Sequence, residues 1–366
     1  MLTADENPDM NLPMRMSLST ILMAFVAAIA ALVIFYRSDE VQPSGLGGEA
    51  SANAEVSAHP ALVFTGTTFP SPTDMQPVFT INLDGSGRTQ ITTDGLQNFL
   101  THFSPDGTKL LYTKFARGGY GSPDAVTDIF VYDRTTAIET NLTNTGTAIQ
   151  GVWSPDGQRI AFGVYGNDAL WLMNTDGSNP HAIARPHKAP DDIQWGDYLW
   201  SVDNWIYFTV AQNIDRCFKV RIDRIRPDGS ERTQISDGGP HCTSAGLEQS
   251  GDAEPGISPD GQTLYSSRGL PQSVPGRPEM TLRHLYSFST EPYVVGKVET
   301  DLSLLMLADC IAGVPKVSPQ GDLIALFAFC PNDQQRAGIV LTDTSGTLLT
   351  YLAPGFAPDW NSAAFE

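Results

Sequence analysis

Three observations predict an all-β chain of repeated four-stranded units closed into a ring behind one apolar N-terminal segment. A ten-residue pattern, Trp153 to Phe162 (WSPDGQRIAF), recurs at Phe103 (FSPDGTKLLY), Ile257 (ISPDGQTLYS) and Val317 (VSPQGDLIAL), with weaker copies at Trp200 (WSVDNWIYF) and Phe356 (FAPDWNSAAF). The terminal copies are incomplete in complementary ways, the last having a first hairpin and no second, the first having later strands and no first. Leu18 to Tyr36 is an uncharged run of 19 residues.

Residues 1–17 read as a short tail. The run 18–36 reaches roughly 28 Å at about 1.5 Å per helical residue, close to a bilayer's hydrocarbon thickness. It reads as a transmembrane or signal-anchor helix. Ala28 to Ala30 offers the small-x-small pattern of a signal cleavage site, but the apolar run continues beyond it as LVIFY. Either reading places the C-terminal part outside the cytoplasm, periplasmic or extracellular, while Arg15 and Arg37 flank the run about equally and give little orientation. Residues 37–59, rich in Gly, Ser, Ala and acid, hold too few large apolar groups to fold alone and read as a flexible linker. The folded domain is 60–366.

Within each copy, Pro presets φ at a turn's first central position and Asp and Gly tolerate the rest of the turn, so the tetrad predicts a tight hairpin between two strands. A second hairpin follows, clearest in VFTINLDGSGRTQIT, LWLMNTDGSNPHAI and VRIDRIRPDGSERTQIS. Four antiparallel strands per repeat, A to D, cannot bury both faces until neighbours stack on them. Taking Pro105, Pro155, Val202, Pro259, Pro319 and Pro358 as equivalent, the spacings are 50, 47, 57, 60 and 39 residues, the size of a propeller blade. Six copies predict a six-bladed β-propeller in which N- and C-terminal strands share one blade. Either ALVFTG from Ala61 or SAAFE from Ser362 is the second strand of that blade.

The Trp-Ser-Pro-Asp-Gly hairpin and the LWLMNTDGS-like strand after it resemble the repeat of the TolB-type six-bladed β-propeller family, with its WD40-like Pro-Asp repeat, over about Pro60 to Phe365. The resemblance implies the fold more than an activity, because similar blades occur in dipeptidyl-peptidase and prolyl-oligopeptidase propellers. Periplasmic TolB carries an α/β domain before its propeller, for which residues 1–60 leave no room. The peptidases carry an α/β-hydrolase domain, and nothing follows Glu366. Neither family's activity is expected to carry over intact.

In such a blade the A–B and C–D turns lie on one face and the B–C and D–A connections on the other. The long insertions, from Ala116, Arg185, Asp237 and Arg268, all fall in the second class, and long loops on a rigid scaffold carry binding. They hold Tyr120, Trp195, Tyr198, His241 and Arg277, aromatic, His and Arg side chains of the kind that dominate interface energies, and these are the expected ligand- or partner-binding residues. Export permits disulfides. Sequential pairing, Cys217 with Cys242 and Cys310 with Cys330, closes short loops; a metal would want a tighter cluster such as C-x-x-C.

No nucleophile elbow, zinc-protease helix, Walker loop or dinucleotide fingerprint is present, so no catalytic residue, cofactor or metal is assigned. The tetrad residues Asp106, Asp156 and Asp260 read as turn caps, since one carboxylate per hairpin falls far short of a Ca²⁺ shell. DAEPG at Asp252 and APDD at Ala189 bring carboxylates near the channel mouth. A net charge of −19 disfavours nucleic acid and anionic lipid headgroups, which need Lys and Arg. The expected function is a membrane-tethered, non-catalytic propeller of the cell envelope that binds protein, peptide or glycan at its loop face. The alternative is a carbohydrate lyase or hydrolase working at the channel mouth, because fold does not decide.

Overall fold

The computed structural model describes residues 60–66, 76–118, 124–164, 169–184, 192–194, 196–214, 217–238, 249–274, 277–303, 310–330 and 338–365. The apolar run 18–36, the linker, and the expected site residues Tyr120, Trp195, His241 and Cys242 lie outside them. Among the described residues no helix is long and apolar enough to cross a membrane, and the regular helix is one 3₁₀ turn, Ser362–Ala364.

The tetrads build the expected hairpins. Connections 104–108, 154–158, 201–205, 258–262 and 318–322 each join an inner strand to its neighbour. In each, the N–H of the fourth residue (Gly107, Gly157, Asn204, Gly261, Gly321) donates to the carbonyl of the leading Ser at 2.8–2.9 Å. That fourth residue sits at φ +64° to +78°, a region Gly enters freely and Asn tolerates. The Ser hydroxyls donate to Asp106, Asp156, Asp203 and Asp260 at 2.5–2.6 Å. Where Gln320 replaces the Asp, Ser318 turns to Asp322 instead, at 2.7 Å. The Ser154 and Ser258 hydroxyls, then the N–H groups of Gln158 and Gln262, hold Asp156 and Asp260 below the usual carboxylate range. These carboxylates are turn caps.

The strands fall into antiparallel groups taken in chain order. The first group is β4 (Gln97–Phe103), β5 (Lys109–Arg117), β6 (Val126–Asp133) and β7 (Ile138–Asn141). The second is β8 (Ala148–Trp153), β9 (Arg159–Val164), β10 (Leu170–Asn174) and β11 (His181–Ala184). In the third, β12 (Asp192–Gln194) and β13 (Leu199–Trp200) share β14 (Ile206–Ile214), followed by β15 (Cys217–Ile225) and β16 (Thr233–Gln234). Next come β17 (Gln249–Ile257), β18 (Thr263–Val274), β19 (Arg277–Ser289) and β20 (Glu299–Asp301), then β21 (Ile311–Val317), β22 (Leu323–Phe329), β23 (Gly338–Asp343) and β24 (Leu348–Ala353).

Closure is made by β25 (Gly355–Trp360), which pairs antiparallel with β1 (Leu62–Gly66), followed by β2 (Val78–Ile81) and β3 (Thr89–Gln90). N- and C-terminal strands therefore share one sheet, and ALVFTG, not SAAFE, is its second strand. Asn361 takes the place of the leading Ser: the Ala364 N–H donates to its carbonyl, and its side chain donates to the Pro60 carbonyl at 2.9 Å. This corrects the register read from FAPD. The equivalent position lies four residues later, so the last interval runs from Ser318 to Asn361, 43 residues rather than 39. Pro358 misled because it precedes an Asp, whereas here it lies inside the strand.

Apolar side chains fill the space between successive sheets. Leu111, Ile129 and Val131 meet Trp153, Ile160 and Phe162; Leu170 and Leu172 meet Ile206 and Phe208; Leu62 and Phe64 meet Ile339 and Leu341 across the closing interface. Burial of this kind contributes about 25 cal/mol per Å² of apolar area. The insertion from Arg268 is not a loop: it is the projecting end of the β18–β19 hairpin, whose strands run 12 and 13 residues. Cys310 and Cys330 are joined by a disulfide between the entry to β21 and the exit of β22.

Candidate functional site

Every innermost strand breaks register at the same place. Phe99 pairs with Thr113 and His102 with Leu111, so two residues oppose one. The break recurs between Ile149 and Val152, Ala253 and Gly256, Gly313 and Lys316, and in β1–β25. In the third group it is wide enough to split the inner strand into β12 and β13. The bulged residues Leu100, Gln150, Asp197, Glu254, Val314 and Ala357 have φ between +48° and +59°, each four residues before Ser104, Ser154, Ser201, Ser258, Ser318 or Asn361. Such bulges re-aim a side chain, here toward the channel. A β-branched residue such as Val314 adopts this backbone only under constraint from its surroundings.

The channel that results has two unlike halves. On one side Leu100 and Ala357 join Phe99, Phe327, Phe329 and Phe356 in an apolar cluster. On the other stand Gln150, Asp197 and Glu254. A small cleft lies between, lined by Leu100, His102, Gln150, Asp197, Tyr198, Glu254, Pro255, Val314 and Lys316, with a volume of about 20 Å³, room for little more than one water-sized group.

Hydrogen bonds between neighbouring strand groups fix the polar half. The Gln150 N–H donates to Thr113 Oγ1 (2.8 Å), the Asp197 N–H to Gln150 Oε1 (3.1 Å), and the Val314 N–H to Glu254 Oε2 (2.8 Å). Gly196 lets this amide sit where it does: a Cβ there would fall 1.0 Å from Gln150 Oε1 and push the Gln150 side chain aside. Thr209 donates to Asp197 Oδ2 at 3.3 Å. Beside the cleft residue His102, Asp359 accepts the Phe103 N–H at 3.0 Å and lies 3.5 Å from His102 Nδ1.

Burial, and then the charge of Glu254, push the Asp197 carboxyl up to about 7, against the pull of Arg283, the Thr209 hydroxyl and Lys316. Burial likewise lowers Lys316, opposed by Asp359, Asp197 and Glu254. The neck thus holds one carboxyl raised toward neutrality beside a second, and a lysine whose charge the nearby carboxylates favour. Among the described residues no group of three His, Cys, Asp or Glu side chains is arranged to hold a metal ion.

Of the expected site residues, Tyr198 is 7% exposed, packed with Val152, Trp200 and Phe208 in the wall of the cleft rather than on an open loop. Arg277 and Cys217 open strands β19 and β15. Asp252, expected at the channel rim, is fully buried and held by two hydrogen bonds from Arg268, while Glu254, two residues on, does reach the channel. Gln150 and Lys316 were missed. The signal that finds them is positional: four residues before the leading Ser for Gln150, two before it for Lys316.

Strand groups set around a channel, with the N- and C-terminal strands sharing one sheet, define a β-propeller. Its fold is that of the TolB-like propellers. The chain is similar to TolB from Acinetobacter baumannii (TM-score 0.59, 14% identity, 82% of this chain and 66% of that one). It is also similar to a putative TolB from Agrobacterium tumefaciens (TM-score 0.51, 16% identity, 82% and 91%) and to a chain of a nidogen/laminin complex (TM-score 0.55, 9% identity, 83% and 98%). The chain thus spans just under two thirds of the A. baumannii protein. No protein-family model and no curated sequence matches it.

Proposed function

We propose that the chain is an exported, membrane-tethered, six-bladed propeller that acts as a non-catalytic binding module, taking a protein or other ligand on the face where the long connections emerge. The observation that carries this reading is the inequality of the two faces. The A–B connections are uniformly five residues, while those of the other class stretch to 235–248 between β16 and β17 and to the β18–β19 projection. The positions of the recurring bulges support six blades. The Cys310–Cys330 disulfide and the apolar run 18–36 support an oxidising compartment and a tether. Sequential pairing of Cys217 with Cys242 belongs to the same proposal, and non-reducing peptide mapping tests it.

Co-purification from detergent-solubilised envelope, with Tyr120→Ala and Trp195→Ala as variants, tests the face. Lost capture with an unchanged melting temperature supports it; capture lost instead from variants of the five-residue turns overturns it. A second reading is favoured by one observation, the Asp197–Glu254 pair with one carboxyl near neutrality, which suits acid–base work on a saccharide. Turnover of a glycan by the purified chain, abolished in Asp197→Asn, would establish that reading instead.

A further inference from the structure

Four C–D turns are polar and built alike: Asp84, Asp176, Asp228 and Asp343 each accept the N–H of a Ser two residues on, at 2.9 Å. Between β19 and β20 the corresponding segment, 290–298, reads TEPYVVGKV instead. The Lys297 N–H donates to the Val294 carbonyl at 3.0 Å and Gly296 sits at φ +85°, so a tight turn puts Val294 and Val295 at its tip. Val294, Val295 and Val298 are 64%, 94% and 83% exposed. The charges beside them are turned away. Lys297 Nζ donates to the carbonyls of Ile235 and Glu291 at 2.8 and 2.6 Å and lies over the Phe288 ring, while Glu299 accepts from Arg268. A single exposed valine needs no explanation. Three on one tip, with its lysine folded back, leave an apolar point that nothing covers among the described residues.

The tip shares an end of the molecule with the start of the folded part. The Thr290 N–H donates to the Gln262 carbonyl and its hydroxyl to the Gly261 carbonyl, in the A–B turn of the same group. Pro60, where residues 37–59 join the first sheet, is held by Asn361, which takes the place of the leading Ser in the closing A–B connection. Both therefore lie at the A–B end of the strands. We propose that the Val294–Val298 tip enters the interface of a lipid bilayer, so that the face with the long connections looks away from the membrane. This rests on the reading of 18–36 as a tether and adds a second contact to it. With 18–36 in the bilayer, the 23 residues of 37–59 hold the A–B end within about 80 Å even when fully extended. Insertion is then an intramolecular step, and a weak apolar hold suffices. Binding rests on buried apolar area without the attraction of basic residues for anionic lipid, which suits a net charge of −19 and turns capped by Asp. The lipid is therefore zwitterionic, and the tip alone makes the contact.

The test is the full chain reconstituted in phosphatidylcholine vesicles, with an environment-sensitive fluorophore on Val295→Cys or, in the C–D turn between β6 and β7, on Thr136→Cys. Quenching by doxyl-labelled phosphatidylcholine at least threefold stronger at position 295 than at 136 is expected. Val294→Asp with Val298→Asp should cut it threefold or more and leave the melting temperature unchanged, because both side chains are exposed. Equal quenching at both positions, none at 295, indifference to the Asp pair, or a blue shift that needs a second copy rather than lipid overturns the proposal. Flotation and carbonate washing read the tether separately. A chain that floats and resists the wash while position 295 stays in water overturns the tip only. One that the wash strips off, but that is quenched at 295 beforehand, supports the tip and overturns the tether; one that never associates overturns both.

Discussion

The leading turn residues and the bulge residues four positions before them occupy the same blades, yet they use their side chains in opposite ways. At the turns one bond recurs: a Ser hydroxyl tied to a carboxylate two or four residues on, with a positive-φ Gly or Asn completing the hairpin. At the bulges the backbone recurs while the side chain changes every time, from Leu100 through Gln150, Asp197 and Glu254 to Val314 and Ala357. The turn is specified by its own residues. The bulge is imposed by neighbours, through bonds such as Thr113 to the Gln150 N–H and Glu254 to the Val314 N–H. Repetition therefore marks scaffold, and variation at a repeated backbone marks what the channel can bind.

Deleting residues 353–366 tests the dependence of both sets on closure and should have the largest effect. It removes β25, exposes the edge of β1, and strips Asp359 from the Phe103 N–H and Asn361 from Pro60. Unpaired edges also template aggregation. Loss of cooperative unfolding is expected by calorimetry; a melt like that of the full chain would show that the ring does not depend on its latch.

Next in size, Tyr198→Ala separates wall from loop. A buried aromatic truncated to Ala costs about 3 kcal/mol or more, and Tyr198 also lies against Gly163, where a Cβ would come within 2.9 Å of its hydroxyl. Denaturant midpoints should fall clearly for Tyr198→Ala and stay put for Tyr120→Ala. Ser154→Ala in the turn should cost about 1–2 kcal/mol, the value of a lost cap, because the hydroxyl serves both Asp156 and the Arg159 N–H. The bulge variant Gln150→Met, which keeps length and apolar volume, should cost less than Ser154→Ala while altering ligand binding. The reverse order would undo the division between scaffold and site.

The same division explains what the sequence reveals. Ser-Pro-Asp-Gly carries its turn in its residue types, so the hairpins, the strand count per unit, the shared terminal sheet and the Cys310–Cys330 bridge were all legible. Where the residue types drift, register drifts too: Asn361 does the work of a Ser with none of its neighbours' spelling, and Pro358 drew the alignment four residues early. The channel was scarcely legible, because Gln150 and Val314 share no property except distance from a Ser. Glu254 stood in a stretch singled out for its acids, but Asp252 looked equally available until Arg268 was seen to hold it.

The last effect is the most specific to the neck and depends on pH. Asp197 is held at about 7 when folded, against about 3.9 for an unperturbed Asp. Between those values the folded chain keeps a proton that the unfolded chain has lost, so this group's contribution to stability is full below about pH 4 and is lost as pH rises through about 7. Asp197→Asn cannot ionise and retains an oxygen for the Thr209 hydroxyl. Its melting temperature relative to the parent should therefore climb from pH 4 to pH 7 and level off, the variant melting higher by at least about 2 °C at pH 8. Glu254→Gln removes the neighbouring charge that raises Asp197, and should move the climb to lower pH. A difference between Asp197→Asn and parent that is flat across this range would mean that the two carboxyls do not share the neck.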